Sequence, residues 1–197
     1  MSKLLECLAF LFAAACIQNV VLTTGLGSSL LLYLGKNPRG LKNFSLLFLG
    51  FTVASMCTFY PIDLLLTDTL GVLFRPVVLL LIISLWYIGA SLFALKKATT
   101  WYAQNRTIFP YAAFNTAIIG VCLMSLYRFH NSFFGALGLA IGTGIGFLVM
   151  LYVTMMAIDR MNHPDVPKAF QGLPLLLLYL GLLGLAICGF RSPITFI

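Results

Sequence analysis

Charged side chains are scarce in this sequence of 197 residues and make up only 9% of it. Its two histidines, His130 and His163, lie in different predicted loops, and its five cysteines form no C-x-x-C pair. Such spacings cannot assemble a zinc site. The chain also lacks a phosphate-binding loop, a nucleophile–base pair and two carboxylates close together within one apolar run. These absences argue against an independent catalytic role.

Hydrophobic side chains are abundant instead. They make up 61% of the chain, and the mean hydropathy is +1.03. A soluble domain of this length could not bury so much apolar surface, so the composition predicts a membrane protein. The net charge of +7 lies in short loops beside apolar runs and does not indicate a nucleic-acid partner. The predicted surroundings are membrane lipid.

Six apolar runs are long enough for the roughly 20 residues that a bilayer core requires. They lie at residues 4–34, 44–66, 72–95, 107–127, 133–157 and 173–190. The sequence therefore predicts an all-α membrane protein with six transmembrane helices and a single domain, residues 1–197.

Lysine and arginine favour one side of these predicted helices. One group occupies the first, third and fifth loops: Lys36, Arg39, Lys42, Lys96, Lys97, Arg106, Arg160 and Lys168. The smaller group lies on the other side: Lys3, Arg75, Arg128 and Arg191. Because positive charge is retained in the cytoplasm, this bias predicts cytoplasmic odd-numbered loops and both termini outside.

Polar residues interrupt the first apolar run in the stretch QNVVLTTGLGSSLL. Gly25 and Gly27 weaken a helix there, among the polar residues Asn19, Thr23, Thr24, Ser28 and Ser29. Irregular backbone at membrane depth is tolerated only inside protein or along a cavity, so the pattern favours a broken helix. The alternative is a tilted, continuous helix whose hydroxyls bond back to the preceding turn.

The fourth run is interrupted in a similar way. Asn115 and Thr116 lie inside it, between Pro110 and Gly120. Interruptions in the first and fourth of six runs predict two three-helix halves, residues 1–97 and 98–197, of opposite topology. Such a 3+3 inverted repeat would place a site near the bilayer midplane, where the broken helices meet.

Small residues line one face of the fifth run. Gly138, Gly142 and Gly146 form two overlapping G-x-x-x-G units, which let another helix approach closely. Packing within the chain is the favoured interpretation, and a dimer interface is the alternative.

Asp63 is the one carboxylate well inside a predicted helix, which makes it a candidate for ion handling. Because it lies near the outer end of that helix, a hydrated carboxylate is the favoured expectation. Trp86 and Tyr87 lie mid-helix and are expected to pack against other helices.

The chain resembles the small integral subunits of the Rnf and Nqr complexes, and within them the RnfA/NqrE group. The most specific stretch is IDRMNHPDVPKAFQGLPLLLLYLGLLGLAICGF, followed by the glycine-rich fifth run and by the interrupted segments QNVVLTTGLGSS and FNTAIIGV. The resemblance implies a bacterial cytoplasmic-membrane subunit that works with an oppositely oriented six-helix homologue and with other Rnf/Nqr-type subunits. Such complexes couple electron transfer to sodium or proton translocation.

In that family, two paired subunits share a [2Fe–2S] cluster, each supplying one cysteine from each broken helix. Here the positions that match those cysteines are Ser29 and Thr116. Because iron–sulfur clusters are held by thiolates, the resemblance predicts a chain without a cluster or other cofactor of its own, serving as scaffold or ion-path component. The alternative is a stand-alone transporter of small solutes or ions that uses the same inverted-repeat fold.

Overall fold

A computed structural model describes residues 3–17, 19–27, 41–66, 69–128, 132–161, 167 and 173–191. Within these ranges all regular secondary structure is helical, as the all-α prediction requires. The helices are α1 (Lys3–Phe12), a π-helical turn (Ala13–Ile17), α2 (Val20–Thr24), α3 (Leu41–Asp63), α4 (Thr69–Lys97), α5 (Thr99–Asn105), α6 (Ile108–Ala113), α7 (Thr116–Arg128), α8 (Phe133–Met161) and α9 (Leu173–Arg191).

Four segments of the described chain are long and apolar enough to cross a membrane. They are Asn43–Asp63, Leu73–Lys97, Ile108–Ser125 and Phe133–Ile158. Two shorter apolar segments, Leu5–Cys16 and Pro174–Gly189, fall in the first and sixth predicted runs. The chain is therefore an integral membrane protein. The count of six transmembrane helices and the inverted repeat stay predictions.

Helix α8 lies at the centre of the fold and packs against α1, α3, α7 and α9. In its apolar segment 61% of the residues are buried, compared with 28% in that of α4 at the periphery. Aromatic rings join α8 to α3, because the centroids of Phe48 and Phe147 lie 4.5 Å apart and Phe44 stacks on Phe48 at 5.8 Å. Such offset ring pairs add stabilisation beyond the area that they bury.

The glycine face of α8 receives the first helix. A Cβ atom at Gly138 would collide with the backbone oxygen of Cys7, and one at Gly142 would lie 2.8 Å from the Cβ of Ala14. At Gly146 it would lie 3.0 Å from the backbone oxygen of Ala15. The stripe thus serves packing within the chain. A dimer interface on the same face would first require α1 to leave it.

Candidate functional site: two helix breaks that meet

The first apolar run contains a helix break at its glycines. Helix α2 ends at Thr24, and Gly25 and Gly27 have φ angles of 71° and 80°. Side chains with a Cβ atom rarely adopt this left-handed region, so the glycines permit the turn. Thr24 and Gly25 are exposed, whereas Gly27 is buried. Ser28 and Ser29 lie outside the described residues.

Asn19 ties the start of this segment to α8. Its side chain is 3% exposed, and its Nδ2 donates a hydrogen bond of 2.8 Å to the backbone oxygen of Gly146. Its backbone oxygen accepts bonds from the N–H groups of Leu22 and Thr23. The hydroxyl of Thr23 also donates to that oxygen, at 2.9 Å. One buried amide therefore satisfies backbone groups that the irregular chain leaves open.

The second break separates α6 from α7. Helix α6 ends at Ala113, and the side-chain oxygen of Asn115 accepts a 3.0 Å hydrogen bond from the N–H of Ala117. This contact is an N-cap, which satisfies one of the free donors at the start of α7. Thr116 follows in the middle of the apolar segment Ile108–Ser125, so the break lies near the bilayer midplane.

The two breaks contact each other directly. The N–H of Gly27 donates a 3.0 Å hydrogen bond to Oγ1 of Thr116. A Cβ atom on Gly27 would lie 3.1 Å from Oδ1 of Asn115 and 2.8 Å from Cε2 of Phe147. Nearby, the side chain of Leu26 fills the space that a Cβ on Gly120 would need. Close packing therefore joins residues from both halves of the chain at membrane depth.

This junction presents polar groups that the described chain does not cover. Thr116 is exposed beside the exposed Gly25. The Nδ2 group of Asn115 has no hydrogen-bond partner among the described residues, although the side chain is 4% exposed. Hydrocarbon cannot satisfy such groups, and each unsatisfied buried donor is unfavourable by about 1–3 kcal/mol. The site is therefore suited to contact with further protein or with a polar ligand.

The described residues of this site do not fit an iron–sulfur cluster. The oxygen of Thr116 already accepts the bond from Gly27, and a hydroxyl does not supply the thiolate that such clusters require. Cys122 is fully buried six residues further along α7, about 9 Å of helix rise away. Cys16 lies exposed in the π-helical turn, before Asn19.

Asp63 does not belong to this junction and forms an ion pair with Arg75 instead. Its Oδ1 lies 2.6 Å from Nε of Arg75, although the N–H is not aligned for a hydrogen bond, and Nη2 donates to Oδ2 at 3.4 Å. The Asp63 side chain is 1% exposed and that of Arg75 is 13% exposed. The expectation of a hydrated carboxylate is therefore wrong. Arg75, at the start of α4, folds back over the short connection and covers the carboxylate.

Comparison with known proteins identifies similar chains in several bacteria, all of them named as ion-translocating oxidoreductase complex subunits of the RnfA type. The chain is 30% identical over 103 residues to the one from Alcanivorax borkumensis, which is 52% of this chain and 53% of that protein. The Aeromonas hydrophila protein matches over 99 residues at 30% identity, covering 50% of this chain and 51% of that protein. The Vibrio cholerae protein matches over 97 residues at 29% identity, covering 49% and 50%.

The chain spans about half the length of these curated relatives. No protein-family model matches it. The comparisons nevertheless agree with the residues singled out from the sequence, since the relatives share one name and that name describes this type of membrane complex. The resemblance of this chain to the RnfA/NqrE-type subunits is therefore confirmed, over about half of its length.

Proposed function

We propose that the protein is a membrane subunit of an Rnf-type complex that couples electron transfer to the translocation of sodium or protons. The observation that carries this proposal is the polar junction of Gly27 and Thr116, which lies at membrane depth with Thr116 exposed. Lipid tails offer no hydrogen bonds, so a neighbouring protein is needed to cover it. The names of the similar proteins support the same type of assembly.

The covering neighbour in this proposal is an oppositely oriented homologue with six transmembrane helices. Its acceptor groups would bond the Nδ2 of Asn115, which has no partner among the described residues. Both chains would carry the 3+3 inverted repeat, so that their broken helices meet at the midplane. The lysine and arginine bias of this chain favours both termini outside a bacterial cytoplasmic membrane.

Within the complex, this subunit holds its neighbours in place and carries no cluster of its own. The hydroxyl of Thr116 joins the two breaks of the chain instead of binding iron. Asp63 is a weak candidate for the ion path, because its carboxylate is already neutralised by Arg75. Electrons would therefore pass through cofactors that other subunits hold.

The experiment is purification of the tagged protein together with its natural neighbours, followed by analysis of iron and of visible absorption. Other membrane subunits should copurify in a fixed ratio. Replacing Thr116 with alanine should leave the iron content per complex and the cluster absorption unchanged, because no iron depends on this oxygen. Cys122→Ala is the matched control, since this thiol is buried within the chain.

A clear loss of iron in the Thr116→Ala complex would contradict the cluster-free assignment. Purification of the chain by itself, with solute uptake in vesicles, would instead identify the stand-alone transporter. A native mass that corresponds to two copies of this chain alone would also contradict the proposed partner.

A further inference from the structure

An apolar groove runs between α3 and α4 on the surface of the membrane-spanning part. It has a volume of about 220 Å³ and is lined by Leu46, Gly50 and Ala54 from α3 and by Trp86 and Ala90 from α4, among others. This volume exceeds the roughly 150 Å³ of a protein cavity that admits benzene. Leu46 is 72% exposed and Trp86 is 40% exposed, so the groove opens to the outside and Trp86 is not packed in the interior as expected.

Glycine leaves the floor of this groove open. A Cβ atom at Gly50 would meet nothing within 4 Å. On the opposite wall, Nε1 of Trp86 donates a 3.2 Å hydrogen bond to Oγ1 of Thr58, so the indole is held against α3 with its polar atom paired. The remaining lining is apolar. Both helices belong to segments that can cross a membrane, so the groove faces hydrocarbon.

Positive charge lies at one end of the groove. Lys97 follows Trp86 by eleven residues and Ala90 by seven, and these spacings place all three on one face of α4. The ammonium group of Lys97 lies 5.5 Å from the ring centroid of Phe93, on the same face. Lys96 and Lys97 are exposed, and no carboxylate within the described ranges forms an ion pair with either.

We propose that this groove is a binding site for an anionic phospholipid. One acyl chain lies between α3 and α4 against Gly50 and Trp86, and the phosphate of the headgroup pairs with Lys97, helped by Lys96. An apolar lining that leads to unpaired cations matches a molecule with an apolar tail and an anionic head. The match favours this lipid over a helix of a neighbouring subunit, which would need no phosphate-binding end.

The test uses Trp86 as the reporter, because the chain has only two tryptophans. In the full chain with Trp101→Phe, reconstituted in phosphatidylcholine vesicles, we expect brominated phosphatidylglycerol to quench Trp86 more strongly than brominated phosphatidylcholine at equal mole fraction. Lys97→Gln should lower this preference about fivefold, the effect expected from one basic residue at an anionic lipid surface. Gly50→Leu should abolish it by filling the groove.

Gly181→Leu is the matched control, since this glycine of α9 is also exposed and open and should leave the preference unchanged. Size-exclusion chromatography checks that every variant is folded. Equal quenching by the two lipids, or a preference that survives Gly50→Leu, would overturn the proposal. So would loss of lipid quenching when the neighbouring subunits are present, because one of them would then occupy the groove.

Discussion

Replacing Gly142 with valine should leave little folded protein in the membrane. A Cβ atom at this position would collide with the backbone oxygen of Leu11 and lie 2.8 Å from the Cβ of Ala14. Backbone atoms cannot rotate away as side chains do, so α1 would have to separate from α8. Overpacking of this kind destabilises proteins by about 3 kcal/mol or more. The yield of monodisperse protein and its thermal unfolding in mild detergent measure the effect.

The matched control is Gly89→Val in α4, where an added Cβ atom meets nothing within 4 Å. Both substitutions place a β-branched residue inside a long helix, so the difference between them reports the contact with α1. Gly142→Ala should already be destabilising, because the collision involves the first side-chain atom. Equal stability of Gly142→Val and Gly89→Val would show that α1 does not lie on this face.

Arg75→Leu should destabilise the protein by about 3–5 kcal/mol, the range seen when one partner of a buried ion pair is removed. The carboxylate of Asp63 would then remain buried without its cation, since its side chain is 1% exposed. A large part of this loss should be recovered in the double variant Asp63→Leu/Arg75→Leu, because the unpaired charge is gone. Thermal unfolding of the wild type, both single variants and the double variant gives the coupling between the two residues.

The same double variant separates structure from ion handling. If Asp63 only holds the ends of α3 and α4 together, the assembled complex with both leucines should still translocate ions. Loss of translocation in a stable, fully assembled double variant would place Asp63 on the ion path. Failure of the second leucine to restore stability would contradict the ion-pair account itself.

Local sequence features were enough to locate the helix breaks. Gly25 and Gly27 stand among hydroxyl side chains, and the turn occurs where glycine alone tolerates positive φ. The amide of Asn115 predicted an interruption for a related reason, since it caps a new helix in the middle of an apolar run. The spacing of the glycines in α8 likewise predicted a face that another helix could approach.

Contacts between distant segments could not be predicted in the same way. Gly27 and Thr116 are 89 residues apart, and nothing in either segment specifies the hydrogen bond between them. Asp63 and Arg75 flank one short connection, and opposite charges at the two ends of a helical hairpin were a usable signal for their pairing. The exposure of Trp86 depends on how α3 and α4 pack, which hydropathy does not reveal.

Disulfide trapping across the two breaks tests most directly whether they meet inside the membrane. Leu26 and Gly120 are suited to it, because the leucine side chain occupies the space beside the glycine. After replacement of the five native cysteines, Leu26→Cys/Gly120→Cys should form an intramolecular disulfide in most molecules on mild oxidation in native membranes, since the short thiol side chains replace that contact. The control pair Leu26→Cys/Gly89→Cys should form almost none. Equal yields from the two pairs would contradict the account, because the first and second breaks would then not lie together.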